Sequence, residues 1–277
     1  SNSVYTLIFP IDARTQTKSP YSMTSIEEYN RREKAARANL TTAETSAFST
    51  VTFDYLGIRS RVEKESELRH YVDGWTEPTI KQYFTERFFA GPYCFTSFSP
   101  YEREIFGNVS RRIGEFTRER FGREIRPLPT LLAQTGLFRL SRALRAILGL
   151  ECISVFEVGP GTGYLGGLLA AAGQAYASID NCQALYLWQS RVLETIAPHD
   201  FSDWAADDQT TQRKRLEHLP WWDFVRLRHS CPLQADVVVS NSNLGEMSRN
   251  AMHYTLRIAR QMLDGSSTPG FFLFAST

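Results

Sequence analysis

The chain has 277 residues, 42% of them apolar and 22% charged, with a net charge of +1. That length and balance describe a globular protein of one large domain or two modest ones, with a core that needs no staples. The near-neutral charge predicts neither a nucleic-acid nor a membrane surface, no apolar run is long enough to span a bilayer, and the N-terminus lacks the basic-then-apolar pattern of a secretory signal.

The first half reads as helical. Ser25-Ile26-Glu27-Glu28 has the form of a helix start, and a charged segment runs on to Asn39. Residues 59–72 mix charges at helical spacing, and residues 79–89 put Ile80, Phe84 and Phe88 on one stripe before Gly91-Pro92 breaks it. Two more helices are predicted over 100–121 and 131–148, separated by Pro127-Leu128-Pro129. Residues 1–150 hold 22 Lys/Arg against 17 Asp/Glu, and the remainder 9 against 13. Acidic residues are interleaved throughout, so the basic excess reads as solvated helix faces. The aromatics between Tyr83 and Phe106 read as core stripes.

From Cys152 onward, strands alternate with helices. Residues 153–158 read as a strand and 164–172 as a helix with Leu165, Leu168, Leu169 and Ala172 inward. A second strand covers 175–179 and a helix 183–196; a polar stretch follows over 200–212. Residues 215–219 read as a short strand, 221–227 as a helical turn and 236–240 as a strand with a Val-Val-Val centre. A helix over 249–263, with Met252, Leu256, Ala259 and Leu263 inward, leads to a last strand over 270–274. Continuous apolar strands alternating with amphipathic helices predict an α/β fold, a parallel sheet covered on both faces. The chain thus divides into a helical cap, 1–150, and a cofactor domain, 151–277. Four scattered cysteines without a CxxC pair exclude a disulfide scaffold and a zinc ribbon and suit the cytoplasm; Cys152 and Cys182 read as small buried hydrophobes.

Glu157-Val-Gly159-Pro160-Gly161-Thr162-Gly163 lies between the first of these strands and its helix, at the sheet edge where such folds bind ligands. The glycines let the backbone turn sharply and approach a ligand closely. Two ligand readings compete. A dinucleotide would use Gly161-x-Gly163-x-x-Gly166, with Asp180 as the ribose-binding acid. S-adenosylmethionine would use the longer Glu157-x-Gly159-x-Gly161-x-Gly163, with the same Asp180 on its ribose. Glu157 favours the second, because a carboxylate there repels a pyrophosphate but suits a cationic ammonium and sulfonium. A loop kept only for tight packing does not account for Asp180 at the matching spacing.

On the loop, Asp180 and Ala235–Leu244, residues 152–277 resemble the class I S-adenosylmethionine-dependent methyltransferases. The resemblance implies a Rossmann-like sheet and S-adenosylmethionine as cofactor. It also implies that the loop after the fourth strand lies beside the methyl group and the acceptor, which points to Asn241, Ser242 and Asn243, with Asn241 on the cofactor and Asn243 on the acceptor. The Asn-Pro-Pro-aromatic signature of amide- and base-methylating relatives is absent. More narrowly, His218-Leu-Pro-Trp221-Trp222 with Ser240–Ser248 resembles a bacterial group of sugar O-methyltransferases that also carry a helical N-terminal region. A complete class I sheet ends in an antiparallel hairpin after its fifth strand; the residues after the 270–274 strand do not supply it, so either the sequence stops short of the hairpin or the hairpin is missing.

A hydroxyl acceptor needs a base. Glu246, after the fourth strand, and His253, two helical turns further along, are the catalytic candidates. Each also has a plain structural role open to it, as a helix-start carboxylate and a helix histidine. Trp221 and Trp222 are candidates for the acceptor pocket. His229, Asp207 and Asp208 read as surface groups, and no carboxylate cluster suggests a metal. The expected activity is S-adenosylmethionine-dependent O-methylation of a small-molecule hydroxyl on a carbohydrate-like acceptor. The alternatives are a nicotinamide-dependent (NAD(P)) oxidoreductase and a non-catalytic binding module.

Overall fold

The computed structural model describes residues 24–42, 44, 60–69, 98–206, 213–241 and 243–275. The predicted helix over 79–89, most of the aromatic-rich stretch, Cys94, Asp207, Asp208 and Ser242 lie outside the described residues.

Helix α1 (Ile26–Asn39) begins where Ser25 caps it, its hydroxyl accepting from the Glu28 N–H at 3.1 Å. Of the helix expected over 59–72, the described residues show a single 3-10 turn, Glu65–Arg69. Helix α2 (Pro100–Phe121) opens with a capping box between Ser99 and Glu102 and closes at left-handed Gly122. Its buried stripe of Ile105, Phe106, Val109, Ile113 and Phe116 follows the helical period. The helix expected over 131–148 is two, α3 (Leu128–Ala133) and α4 (Thr135–Ile147). The prolines start α3 rather than precede it, since a proline in a first turn gives up no intrahelical bond. Arg139 of α4 donates to the buried Glu102 of α2 at 2.7 and 3.0 Å, and this holds the Glu102 carboxyl down to about 2.

The second half follows in order: β1 (Ser154–Val158), α5 (Tyr164–Ala171), β2 (Ala175–Asp180), α6 (Gln183–Ile196), β3 (Phe201–Asp203), β4 (Leu216–Pro220), α7 (Trp221–Arg226), β5 (Val237–Asn241), α8 (Arg249–Asp264) and β6 (Phe271–Ala275). The six strands form one all-parallel sheet in the order β3-β4-β2-β1-β5-β6, a Rossmann-like α/β arrangement. β3 was not predicted; it is a three-residue edge strand inside a stretch that reads as polar. Among the described residues, β6 pairs only with β5.

Right-handed crossovers place α5 and α6 on one face, and α7 and α8 on the other. On the first face α2 packs over α5 and α6, so α5 is enclosed on both sides and Tyr164 through Ala170 are all buried. On the second face Phe156 of β1 stacks on Phe224 of α7 at 6.1 Å, and Phe224 meets Tyr254 of α8 edge-on at 5.5 Å. The buried face of α8 is Ala251, Tyr254, Thr255, Ile258, Ala259 and Met262. This corrects the predicted stripe, which is rotated: Leu256 is 38% exposed because Tyr254, bonded to the Phe224 and Val225 carbonyls, sets the helix's rotation.

Among the described residues, a single cluster of buried side chains runs from Ile26 to Met262. The N-terminal segments are tied on by buried polar contacts. Gln183 of α6 accepts from Val62 N–H at 2.8 Å and donates to Asn30 at 2.8 Å. Arg191 reaches Glu65 at 2.8 Å and the Thr24 carbonyl at 3.0 Å. Cys182 is buried as expected; Cys152 is exposed, since it sits in the bend before β1 rather than in the strand. No helix among the described residues is long and apolar enough to cross a membrane.

Candidate functional site

β1 lies between β2 and β5, and the chain winds away from it in opposite directions on its two sides. The carboxyl ends of β1, β2 and β5 therefore diverge at a switch point, where the crossover helices leave a crevice. Val158, Gly159, Ile179, Asp180, Asn181, Phe224, Asn243, Met247, Ala251 and Thr255 line a solvent-open cleft there, with about 360 Å³ of free space including its mouth.

The loop from Gly159 to Gly163 starts at this cleft, with Gly159 in its wall. All three glycines are left-handed, with φ of 66°, 58° and 72°, a region that costs other residues about 1–2 kcal/mol. Gly159 N–H extends the sheet ladder to the Ile179 carbonyl at 3.0 Å, and the Gly163 N–H closes a turn on the Pro160 carbonyl at 3.0 Å. Their surroundings differ. A Cβ on Gly159 would lie 2.4 Å from Asn243 Nδ2, and one on Gly163 2.9 Å from Gln189 Cγ; one on Gly161 would meet nothing within 4 Å. Gly161 is thus where the backbone is open to an incoming group. Pro160 and Thr162 are buried beneath the loop.

Asp180 ends β2 and is almost wholly buried. Its Oδ1 accepts from the Cys182 N–H at 2.8 Å and its Oδ2 from Gln189 Nε2 at 2.8 Å. Burial pushes its carboxyl up to about 6, against these donors. Asn241 closes β5 at the same edge. Asn243 lies on Gly159, and its Oδ1 is buried without a hydrogen-bond partner. Glu246 ends a 3-10 turn between two cleft residues, Asn243 and Met247, and is exposed; partial desolvation of its carboxyl raises it, and its charge acts on Asp180.

Other predicted site residues are elsewhere. Glu157 does not face the cleft. Strand alternation turns it to the α5 side, where it accepts from Tyr176 Oη at 2.6 Å and burial pushes its carboxyl up to about 7. Gly166 makes this pairing possible, because a Cβ there would lie 2.5 Å from the Tyr176 ring. Trp221 and Trp222 are not pocket walls. Trp221 Nε1 donates to Glu33 of α1 at 3.1 Å, and Trp222 packs edge-on to Tyr29 at 4.9 Å. They join α7 to α1, as amphipathic rings do when a partner lets them be buried. His253 is exposed on the outer side of α8, since the helix's rotation turns that position to solvent. His218 is fully buried, stacked on Tyr186 at 3.9 Å with Nδ1 2.9 Å from Ser190 Oγ, and burial lowers it to about 3. No group of His, Cys, Asp or Glu among the described residues could hold a metal ion.

Gln189 of α6 escaped sequence reading. Its Nε2 donates to both the Gly161 carbonyl, at 2.6 Å, and Asp180. The available signal was a polar residue on the inward, otherwise apolar side of α6, between Leu185 and Val192. No known protein-family model matches the chain, and no curated protein is significantly similar to it.

Proposed function

We propose that this protein is an S-adenosylmethionine-dependent methyltransferase of the class I type acting on a small-molecule hydroxyl. The observation that carries the reading is the cleft itself. Gly159 and the carboxylate of Asp180 line it at the switch point, Gln189 joins Asp180 to the open backbone at Gly161, and no Lys or Arg is among the lining residues. Asp180 is suited to a ribose diol, and Glu246, between the cleft residues Asn243 and Met247, adds negative charge that acts on it. That electrostatic setting favours a cationic sulfonium and ammonium over a pyrophosphate. Glu157 is buried against Tyr176, so the negative charge that acts at the cleft is that of Asp180 and Glu246.

S-adenosylmethionine supplies an activated methyl on a positively charged sulfur. The chain's part is alignment and proton removal. The Gly159–Gly163 loop and Asp180 hold the nucleoside, while Asn241 and Asn243 orient the acceptor. Glu246, exposed to an incoming acceptor and with its carboxyl raised by partial desolvation, takes the hydroxyl proton. A sugar acceptor rests on the resemblance of the Ser240–Ser248 segment alone, since His218, Trp221 and Trp222 are packed in the core.

Calorimetric titration of the protein with S-adenosylhomocysteine and with NAD tests the proposal. Saturable binding of S-adenosylhomocysteine, with none of NAD, is expected. Binding of NAD alone would replace it with the oxidoreductase reading. Binding without methyl transfer to any member of a broad hydroxyl panel would point to a non-catalytic module.

A further inference from the structure

We propose that Gln189 is a positioning residue for the nucleoside, its side-chain amide locking the glycine-rich loop and Asp180 into one rigid ligand-binding unit. The proposal deepens the S-adenosyl reading of the cleft and rests on it. Gln189 is fully buried, and its Nε2 makes two short bonds, to Gly161 O at 2.6 Å and to Asp180 Oδ2 at 2.8 Å. Both partners are acceptors, so the nitrogen's placement is fixed by the network, and each of its two hydrogens has one target.

Packing does not account for this residue. Its Oε1 is buried with no hydrogen-bond partner, a cost that an apolar side chain of the same size would avoid. What the amide provides instead is a direct link between the glycine-rich loop and the acid. The loop follows β1 and the acid ends β2, and Gln189 reaches both from α6. Its Cβ and Cγ also fill the space beside Gly163, where an added Cβ would lie 2.9 Å from Cγ. With Oδ1 held by the Cys182 N–H and Oδ2 by Gln189, the Asp180 carboxylate is fixed in orientation. Each of its oxygens keeps a lone pair for one hydroxyl of a vicinal diol. The donors also favour the charged form of a carboxylate that burial would otherwise neutralise.

Two variants test this, Gln189→Leu and the near-isosteric Gln189→Glu, titrated calorimetrically with S-adenosylhomocysteine and with adenosine. Gln189→Leu should bind about 10- to 100-fold more weakly than the parent protein near neutral pH, the loss of a hydrogen bond to a charged group. Gln189→Glu places a second carboxylate against Asp180, and the pair takes up one shared proton at mildly acid pH. That proton restores a donor, so the affinity of Gln189→Glu should rise about tenfold or more from pH 8.5 to pH 6, whereas the parent's falls as Asp180 protonates. A merely structural role would not reverse the sign of the pH profile. Gln189→Leu binding within about threefold of the parent, or a Gln189→Glu profile parallel to it, would overturn the proposal. If the parent binds adenosine but not S-adenosylhomocysteine, the S-adenosyl reading fails and the adenosine titrations decide the role of Gln189. A parent that binds neither ligand overturns both.

Discussion

Substitution of Gly161 by valine separates the cleft's structural and ligand-binding demands. The residue is left-handed at φ 58°, yet a Cβ there meets nothing within 4 Å. The folded protein therefore bears only backbone strain, about 1–2 kcal/mol and somewhat more for a β-branched side chain. At roughly 2–4 °C per kcal/mol for a chain of this size, the melting temperature should fall by about 3–8 °C. The two methyls project into the space through which a ligand reaches the loop backbone. Affinity for S-adenosylhomocysteine should drop more than about 100-fold, since the close approach that a glycine allows is lost. Gly166→Ala makes the contrasting control. Its Cβ would lie 2.5 Å from the buried Tyr176 ring, so it should cost about 1–3 kcal/mol by overpacking while the cleft is untouched. Calorimetric scanning and isothermal titration of both variants check the pattern. A folded Gly161→Val protein that binds within about fivefold of the parent would show that the ligand does not approach at Gly161.

Burial raises Glu157 from 4.5 to about 7 and Asp180 from 3.8 to about 6. The folded state holds these protons more tightly than the unfolded chain, so their stabilisation is fully present below the unfolded values and is lost as pH rises through the folded ones. Unliganded protein should lose stability at about 1.4 kcal/mol per pH unit for each group across its window. Glu157→Gln, which keeps an acceptor for Tyr176, should flatten part of that slope between pH 5 and pH 8 in urea titrations; an unchanged slope would refute the assignment. Trp221→Phe removes the bond to Glu33 and should cost about 1–2 kcal/mol, with S-adenosylhomocysteine affinity unaltered by calorimetry. Glu246→Gln should lower methyl transfer by about 10²–10⁴-fold, the contribution of a general base, on the first acceptor that a carbohydrate panel yields. His253→Ala, at an exposed helix position, should leave transfer unchanged and stability within about 0.5 kcal/mol.

Local signals carried much of the fold. Ser25 marks the start of α1 because a capping hydroxyl answers to neighbouring N–H groups. The runs of apolar residues at 153–158 and 236–240 read as buried parallel strands because both of their faces are covered. The loop glycines and Asp180 were legible because backbone conformation and a strand-terminal acid are properties of short segments. β3 was not, for an edge strand of three residues has too little periodicity to register.

The sequence by itself therefore determined the order of elements from β1 to β6 apart from β3, the parallel α/β class and the place of the glycine-rich loop beside Asp180. Only the tertiary structure decided which way each side chain points. Alternation along β1 sent Glu157 away from the cleft to Tyr176, the rotation of α8 turned His253 to solvent, and packing against α1 drew Trp221 and Trp222 into the core. It also brought Gln189 from α6 against both the loop and the acid. The reason is physical. Spacing fixes what a segment can form, whereas orientation depends on which partners, distant in sequence, satisfy a buried polar group or fill a void.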